Sequence, residues 1–198
     1  MDHRWVAISI LIVLTLGASS IAAYFYGRTL LLGSELQQVS TRVVGGSPDG
    51  QSLSITISTA NGASVCPGAL GGAWSSGNCE LPRGQAIIIP QGTTLTIGSS
   101  VVLATSGADV DNSGTIVINA SGTMFFVSGN FINYKGGTVE IERGGALTNG
   151  GELVNLRGGI INNGGTLANE GTIYNYGTIN STFDNNNGTF VNFGSFGQ

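Results

Sequence analysis

The sequence predicts an all-β fold, a parallel β-helix or solenoid preceded by an N-terminal hydrophobic helix, and three observations carry that expectation. From Gly145 onward the chain repeats Gly-x-apolar-x-Asn. Glycines stand at 145, 151, 159, 165, 171, 177, 188 and 194, and two places on come Leu147, Leu153, Ile161, Leu167, Ile173, Ile179, Phe190 and Phe196. Asn149, Asn155, Asn163, Asn169, Asn175 and Asn192 follow two places later, with Ser181 and Gln198 in the remaining slots. Short apolar segments with a turn residue every six or so positions cannot bury their own side chains, so they must stack on copies of themselves. The second observation is composition: 33 glycines and only 9% charged residues, against about 25% charged in an ordinary soluble domain. Uncharged amides and hydroxyls must then face the solvent. The third is a series of short β-branched strands between 86 and 141, with no helical periodicity among them.

The first element is apolar. Trp5 to Tyr26 contains no charged residue, and at 1.5 Å per residue a helix of that length crosses a hydrocarbon core of about 30 Å. Residues 1–28 are therefore either a membrane anchor, touching the bilayer through residues 5–26, or a cleaved signal. The signal reading rests on the basic start at His3 and Arg4 and the small-x-small site Ser20-Ile21-Ala22. Both readings place the remainder outside the cytoplasm, extracellular or at the cell surface. Residues 29–46 follow as an amphipathic helical stalk, with Leu32, Leu36, Val39 and Val43 at helical spacing and Gly45-Gly46 and Pro48 to end it.

Residues 47–85 form an N-terminal β cap. Positions 51–59 alternate with period two, which describes a strand burying Leu53, Ile55 and Ile57. Cys66 and Cys79, the only cysteines, bracket a Gly- and Ser-rich loop also holding Trp74. A disulfide between them removes loop freedom worth roughly 3 kcal/mol and suits an oxidising compartment. No metal site is expected. With no histidine beyond His3, two thiols cannot complete a zinc shell, and no cofactor is implied.

Residues 86–198 form the solenoid itself: Ala86-Ile-Ile-Ile-Pro, Gln91-Gly-Thr-Thr-Leu-Thr-Ile, Ser100-Val-Val-Leu, Gly114-Thr-Ile-Val-Ile, Gly122-Thr-Met-Phe-Phe-Val and Gly137-Thr-Val-Glu-Ile lead into the hexads. Ile87–Pro90 running into Gly92–Ile97, with Gly-Thr-Ile at Gly114, Gly171 and Gly177, resembles the parallel β-helix proteins of microbial surfaces, including pectin-lyase-like proteins and adhesins. The resemblance covers 86–198 and implies a β-solenoid with an extracellular role, but no particular activity. Glycine is expected to open each corner through positive φ, the apolar residue to fill the bore, and asparagine to stack in amide ladders. Three hexads, about 18 residues a turn, give about six turns.

Candidate chemistry is sparse. Asp109-Val-Asp111-Asn-Ser-Gly114 resembles the first half of a calcium loop but has Ala120 where the closing glutamate belongs; a turn is the stronger expectation, with calcium a weak candidate. Glu140 and Glu142 share a strand face beside Arg143, as a solvated pair. No histidine serves as a base outside the leader, and no Ser or Cys nucleophile finds one, so the chain reads as non-enzymatic. A net charge of -4 with one lysine, Lys135, gives no footprint for nucleic acid. Asn119, Asn180 and Asn187 head glycosylation triplets. Tyr174 and Tyr176 are expected outward, either as a mutual stack or as a glycan platform.

The repeat keeps register through Phe190, Phe193 and Phe196, and no charged residue follows Asp184 to discourage edge pairing. The expected role is a structural or adhesive cell-surface protein that self-assembles into a filament through this edge or docks on another surface protein. The helix-led layout is similar to that of pilins but lacks their processing site. The alternative is a carbohydrate-binding or polysaccharide-degrading β-helix, which requires Asp109, Asp111, Glu140 and Glu142 to converge.

Overall fold

Within each hexad the apolar residue sits between two outward neighbours, so a chain obeying the repeat turns one side chain in for every one it turns out. The computed structural model of the protein describes residues 40–44, 52–120, 124–180 and 187–197, all within one compact unit, Gln38–Gln198. The strands assemble into three sheets, each receiving one strand per turn. The first holds Ser40–Val43, Gln85–Ile89, Asp109–Asn112, Asn130–Asn133, Glu152–Asn155, Thr172–Asn175 and Thr189–Asn192, in that order. The second runs from Leu53–Ile57 through Thr93–Ile97, Thr115–Ile118, Thr138–Ile141, Ile160–Asn163 and Thr178–Asn180 to Ser195–Phe196. The third runs from the hairpin Ala73–Ser75 and Asn78–Glu80 through Val102–Ala104, Met124–Val127 and Ala146–Asn149 to Thr166–Asn169. Every pairing is parallel except that hairpin. The chain is a parallel β-solenoid.

Four turns carry all three strands, between 85 and 169, and within 85–196 the first and second sheets each hold six strands. Several turns are longer than expected because extra residues are spent at the corners. Asn112 meets Asn133 after 21 residues and Asn133 meets Asn155 after 22, whereas Asn175 meets Asn192 after only 17. Gly136, Gly144 and Gly158, at φ 85°, 91° and 84°, make these added bends.

The glycines of the hexad serve a different purpose from the one expected. Gly145, Gly151, Gly159, Gly165, Gly171, Gly177, Gly188 and Gly194 all lack a positive φ. A methyl at Gly151, Gly171 or Gly194 would instead collide with the carbonyl oxygen of Gly129, Gly151 or Gly177 on the turn before. Glycine is required because successive backbones approach too closely for any side chain.

The bore is dry and continuous. Ile87, Val110, Phe131, Leu153 and Ile173 point in from the first sheet, Leu95, Ile116, Val139, Ile161 and Ile179 from the second, and Cys79, Leu103, Phe125, Leu147 and Leu167 from the third. Each side chain of this size taken fully out of water contributes roughly 1.5–3 kcal/mol before entropy is subtracted. Asparagines complete the interior. Asn112, Asn133, Asn155 and Asn175 are buried, and each Nδ2 donates to the Oδ1 of the next, at 2.8 Å, 2.8 Å and 2.8 Å, before Asn175 reaches Asn192 at 2.7 Å. The same Nδ2 groups also satisfy corner carbonyls, as Asn155 does for Thr178 at 3.1 Å. A second ladder starts at Asn149, which donates to Asn169 at 2.8 Å.

At the other end of the bore lies the cap. A short helical turn, Gly62–Val65, runs into a wider π-type turn, Cys66–Leu70. Cys66 is bonded to Cys79 with Cα atoms 5.7 Å apart, tying this cap to the first parallel strand of the third sheet. Arg42 Nη1 donates to the Gly68 carbonyl at 2.6 Å, and Gln85 Nε2 donates to that of Leu70. Trp74 closes over Gly62, where no Cβ would fit.

Two expectations change here. Ser40–Val43, assigned by its spacing to the end of the helical stalk, is a strand paired in parallel with Gln85–Ile88; β-branched Thr41 and Val43 suit the sheet better. Of the strand face Leu53, Ile55 and Ile57, only Ile57 is fully buried, while Leu53 is exposed, because the strand lies at the sheet's edge. The apolar segment 5–26 and the rest of the stalk lie outside the described residues.

Candidate functional site

The carboxylates considered for chemistry sit on different walls. Asp109–Asn112 is a strand of the first sheet rather than a turn or half a calcium loop. Its alternation sends Val110 and Asn112 inward and leaves the two aspartates outward. Asp109 Oδ1 accepts the backbone N–H and the side-chain Nδ2 of Asn130 on the next turn, at 3.2 Å and 2.9 Å. Burial raises the Asp111 carboxyl above its ordinary value, the hydrogen bond from Tyr134 pulls it down, and the charge of Asp109 adds to the rise. The same burial, with the Asp111 charge and that bond, pushes the Tyr134 hydroxyl up to about 12.

Glu140 belongs to the second sheet. Its Oε1 accepts from Asn162 Nδ2 at 2.6 Å, and Asn162 Oδ1 accepts from Asn180 Nδ2 at 2.6 Å, an outer amide row alongside the inner ladders. Glu142 Oε2 accepts the Ala120 N–H at 3.1 Å. The four carboxylates therefore do not converge, contrary to what the polysaccharide-degrading alternative requires. No group of three or more His, Cys, Asp and Glu that could hold a metal occurs among the described residues.

The glycosylation candidates differ in setting. Asn187 is exposed, with φ 62°. Asn180 already spends its Nδ2 on Asn162, and Asn119 Oδ1 accepts the N–H of Ala120 at 2.8 Å.

The aromatics divide into three groups. Phe190 and Phe196 lie in the inward rows of the first and second sheets and face each other with ring centroids 5.0 Å apart. Tyr174 points outward between Val154 and Val191. Tyr176 does not stack on it. It lies at the corner after the first sheet, stacked on Phe193 with centroids 5.1 Å apart and planes 14° from parallel. This corner carries a row missed in the sequence: Tyr134, Leu156, Tyr176 and Phe193 each bond by their N–H to the carbonyl of the ladder asparagine one turn earlier. The signal was present, since each directly follows a ladder asparagine.

The solenoid's last edge is formed by Thr189–Asn192 and Ser195–Phe196. Each pairs with a strand on one side, and among the described residues no strand lies on the other. Phe193, 67% exposed, stands beside that edge with one ring face covered by Tyr176. Together these groups present backbone edges, a ladder amide at Asn192 and an aromatic face.

No family model, no curated protein and no solved structure matches this chain.

Proposed function

We propose that this protein is an exported structural or adhesive component of a cell surface, held there through residues 5–26 or released, and that its solenoid associates with a second copy through the edge of its last turn. One observation carries the reading: among the described residues no strand pairs with the outer edges of Thr189–Asn192 and Ser195–Phe196, and the 67%-exposed Phe193 stands beside them. Unpaired edges that carry no charge favour pairing with another chain. The buried Cys66–Cys79 bond supports an oxidising compartment. A surface built from Thr, Asn and Gly on parallel ladders supports a scaffold role, because it is stiff and presents few charges.

Light scattering of the full chain in neutral detergent tests the association. The chain should be larger than a monomer, and the double variant Phe193→Lys, Ser195→Lys should be monomeric with an unchanged circular dichroism spectrum. A monomeric wild-type chain at high concentration, or a folded double variant that still associates, overturns it.

A further inference from the structure

We propose that the corner following the first sheet is a binding site for an anionic saccharide, a pyranose ring bearing a carboxylate. Cations are scarce in this chain, with Lys+Arg 7, yet Lys135 and Arg157 occupy the same corner on successive turns. Their loops are joined by the Gly136 N–H donating to the Gly158 carbonyl at 2.9 Å, and the Lys135 stem lies against Gly158. As solvated surface charges both can turn to an anion that enters this corner.

One turn further along the corner lies an open groove of about 600 Å³, lined by Arg157, Tyr176, Thr178, Phe193 and Ser195. Its parts specify a ligand. A guanidinium offers paired N–H donors that match a carboxylate. Tyr176 and Phe193, 42% and 67% exposed and stacked on each other, supply an apolar wall for the C–H face of a sugar ring. The hydroxyls of Thr178 and Ser195 both donate and accept, as sugar hydroxyls require. Arg157 alone would take any small anion; the aromatic wall and hydroxyl pair that line the groove with it distinguish a ring with an acid group from an ion.

The groove shares Phe193 and Ser195 with the association edge, so binding is measured on the monomer, and Arg157, one turn earlier, is the residue that separates the two readings. The full chain, dilute enough to be monomeric by light scattering, is examined by saturation-transfer NMR with a hyaluronan tetrasaccharide, its carboxyl-reduced counterpart and inorganic phosphate. The tetrasaccharide should bind, and the reduced form at least tenfold more weakly. Arg157→Gln and Phe193→Ala should each weaken binding severalfold or more, while Arg143→Gln, on another corner, binds as wild type. Absence of binding at millimolar tetrasaccharide, equal binding of the reduced form, or wild-type binding by folded Arg157→Gln overturns the site. Displacement by equimolar phosphate would reduce it to a simple anion site and overturn the sugar assignment. Arg157→Gln should leave self-association unchanged, so the two readings fail separately.

Discussion

Asn133 Nδ2 donates to Asn155 Oδ1 across 2.8 Å inside the bore, one full turn away, and Asn155 repeats the bond to Asn175. Each amide is thus acceptor to the turn before and donor to the turn after, so the middle member cannot be removed without orphaning two neighbours. Replacing Asn155 by Ala leaves a donor on Asn133 and an acceptor on Asn175 without their ladder bonds. Urea unfolding should show a loss of roughly 2–4 kcal/mol, well above that of Asn162→Ala on the outer row, where water can substitute.

Gly171 lies against the carbonyl of Gly151, and a methyl there must push two turns apart. Gly171→Ala is expected to cost about 1–3 kcal/mol, measured by thermal or urea unfolding. Gly136, at φ 85° with open space around its missing side chain, is the comparison. Its alanine variant bears only backbone strain, of order 1 kcal/mol.

The first member of the ladder is incomplete: the buried Oδ1 of Asn112 has no hydrogen-bond partner, because Ile89 lies opposite it in the preceding turn. Ile89→Asn would place a donor there. An amide in an apolar position normally costs several kcal/mol, but this one should be milder than Ile87→Asn by about 1–2 kcal/mol, the value of satisfying the orphan. Equal losses in the two variants would show that the vacancy is not a hydrogen-bonding site.

Asp111 sets a pH dependence. Its folded pKa lies above the ordinary 3.8, chiefly from burial. The stability linked to this group is therefore full below pH 3.8 and declines as pH rises through the folded value; at neutral pH the desolvated charge is a penalty. Asp111→Asn keeps an acceptor for Tyr134 and removes the charge. Its melting temperature should exceed wild type at pH 7 and converge with it near pH 3, and a lower melting temperature at pH 7 would contradict the assignment.

Most of the architecture was legible because the hexad encodes direction as well as composition. Leu167, Ile173 and Ile179, six residues apart in sequence, enter the same core from three different sheets, and Cys66 and Cys79 meet as their loop suggested. Features with two physical causes were less legible. Glycine permits positive φ and close approach alike, and only the second governs the hexads. Asn112 in an Asp- and Asn-rich stretch reads as a turn until its neighbours in the ladder are known, since an asparagine favours the interior only when others stand above or below it. Val39 and Val43 fit a helical spacing, yet Val43 pairs with Ile88 in a sheet, a partner that lies outside any local window. The corner groove was hidden for the same reason: Arg157 and Phe193 become neighbours only when turn lengths are known.

The vacant oxygen of Asn112 also has a mechanical meaning. On its Ile89 side the cylinder is filled with hydrocarbon; on its Asn133 side the filling is stitched lengthwise by amides. Stretched along its axis, such a rod has a built-in weak line on that wall, where the lengthwise amide stitching stops at Asn112 and the strand pair Gln85–Ile89 and Asp109–Asn112 holds by its main-chain bonds.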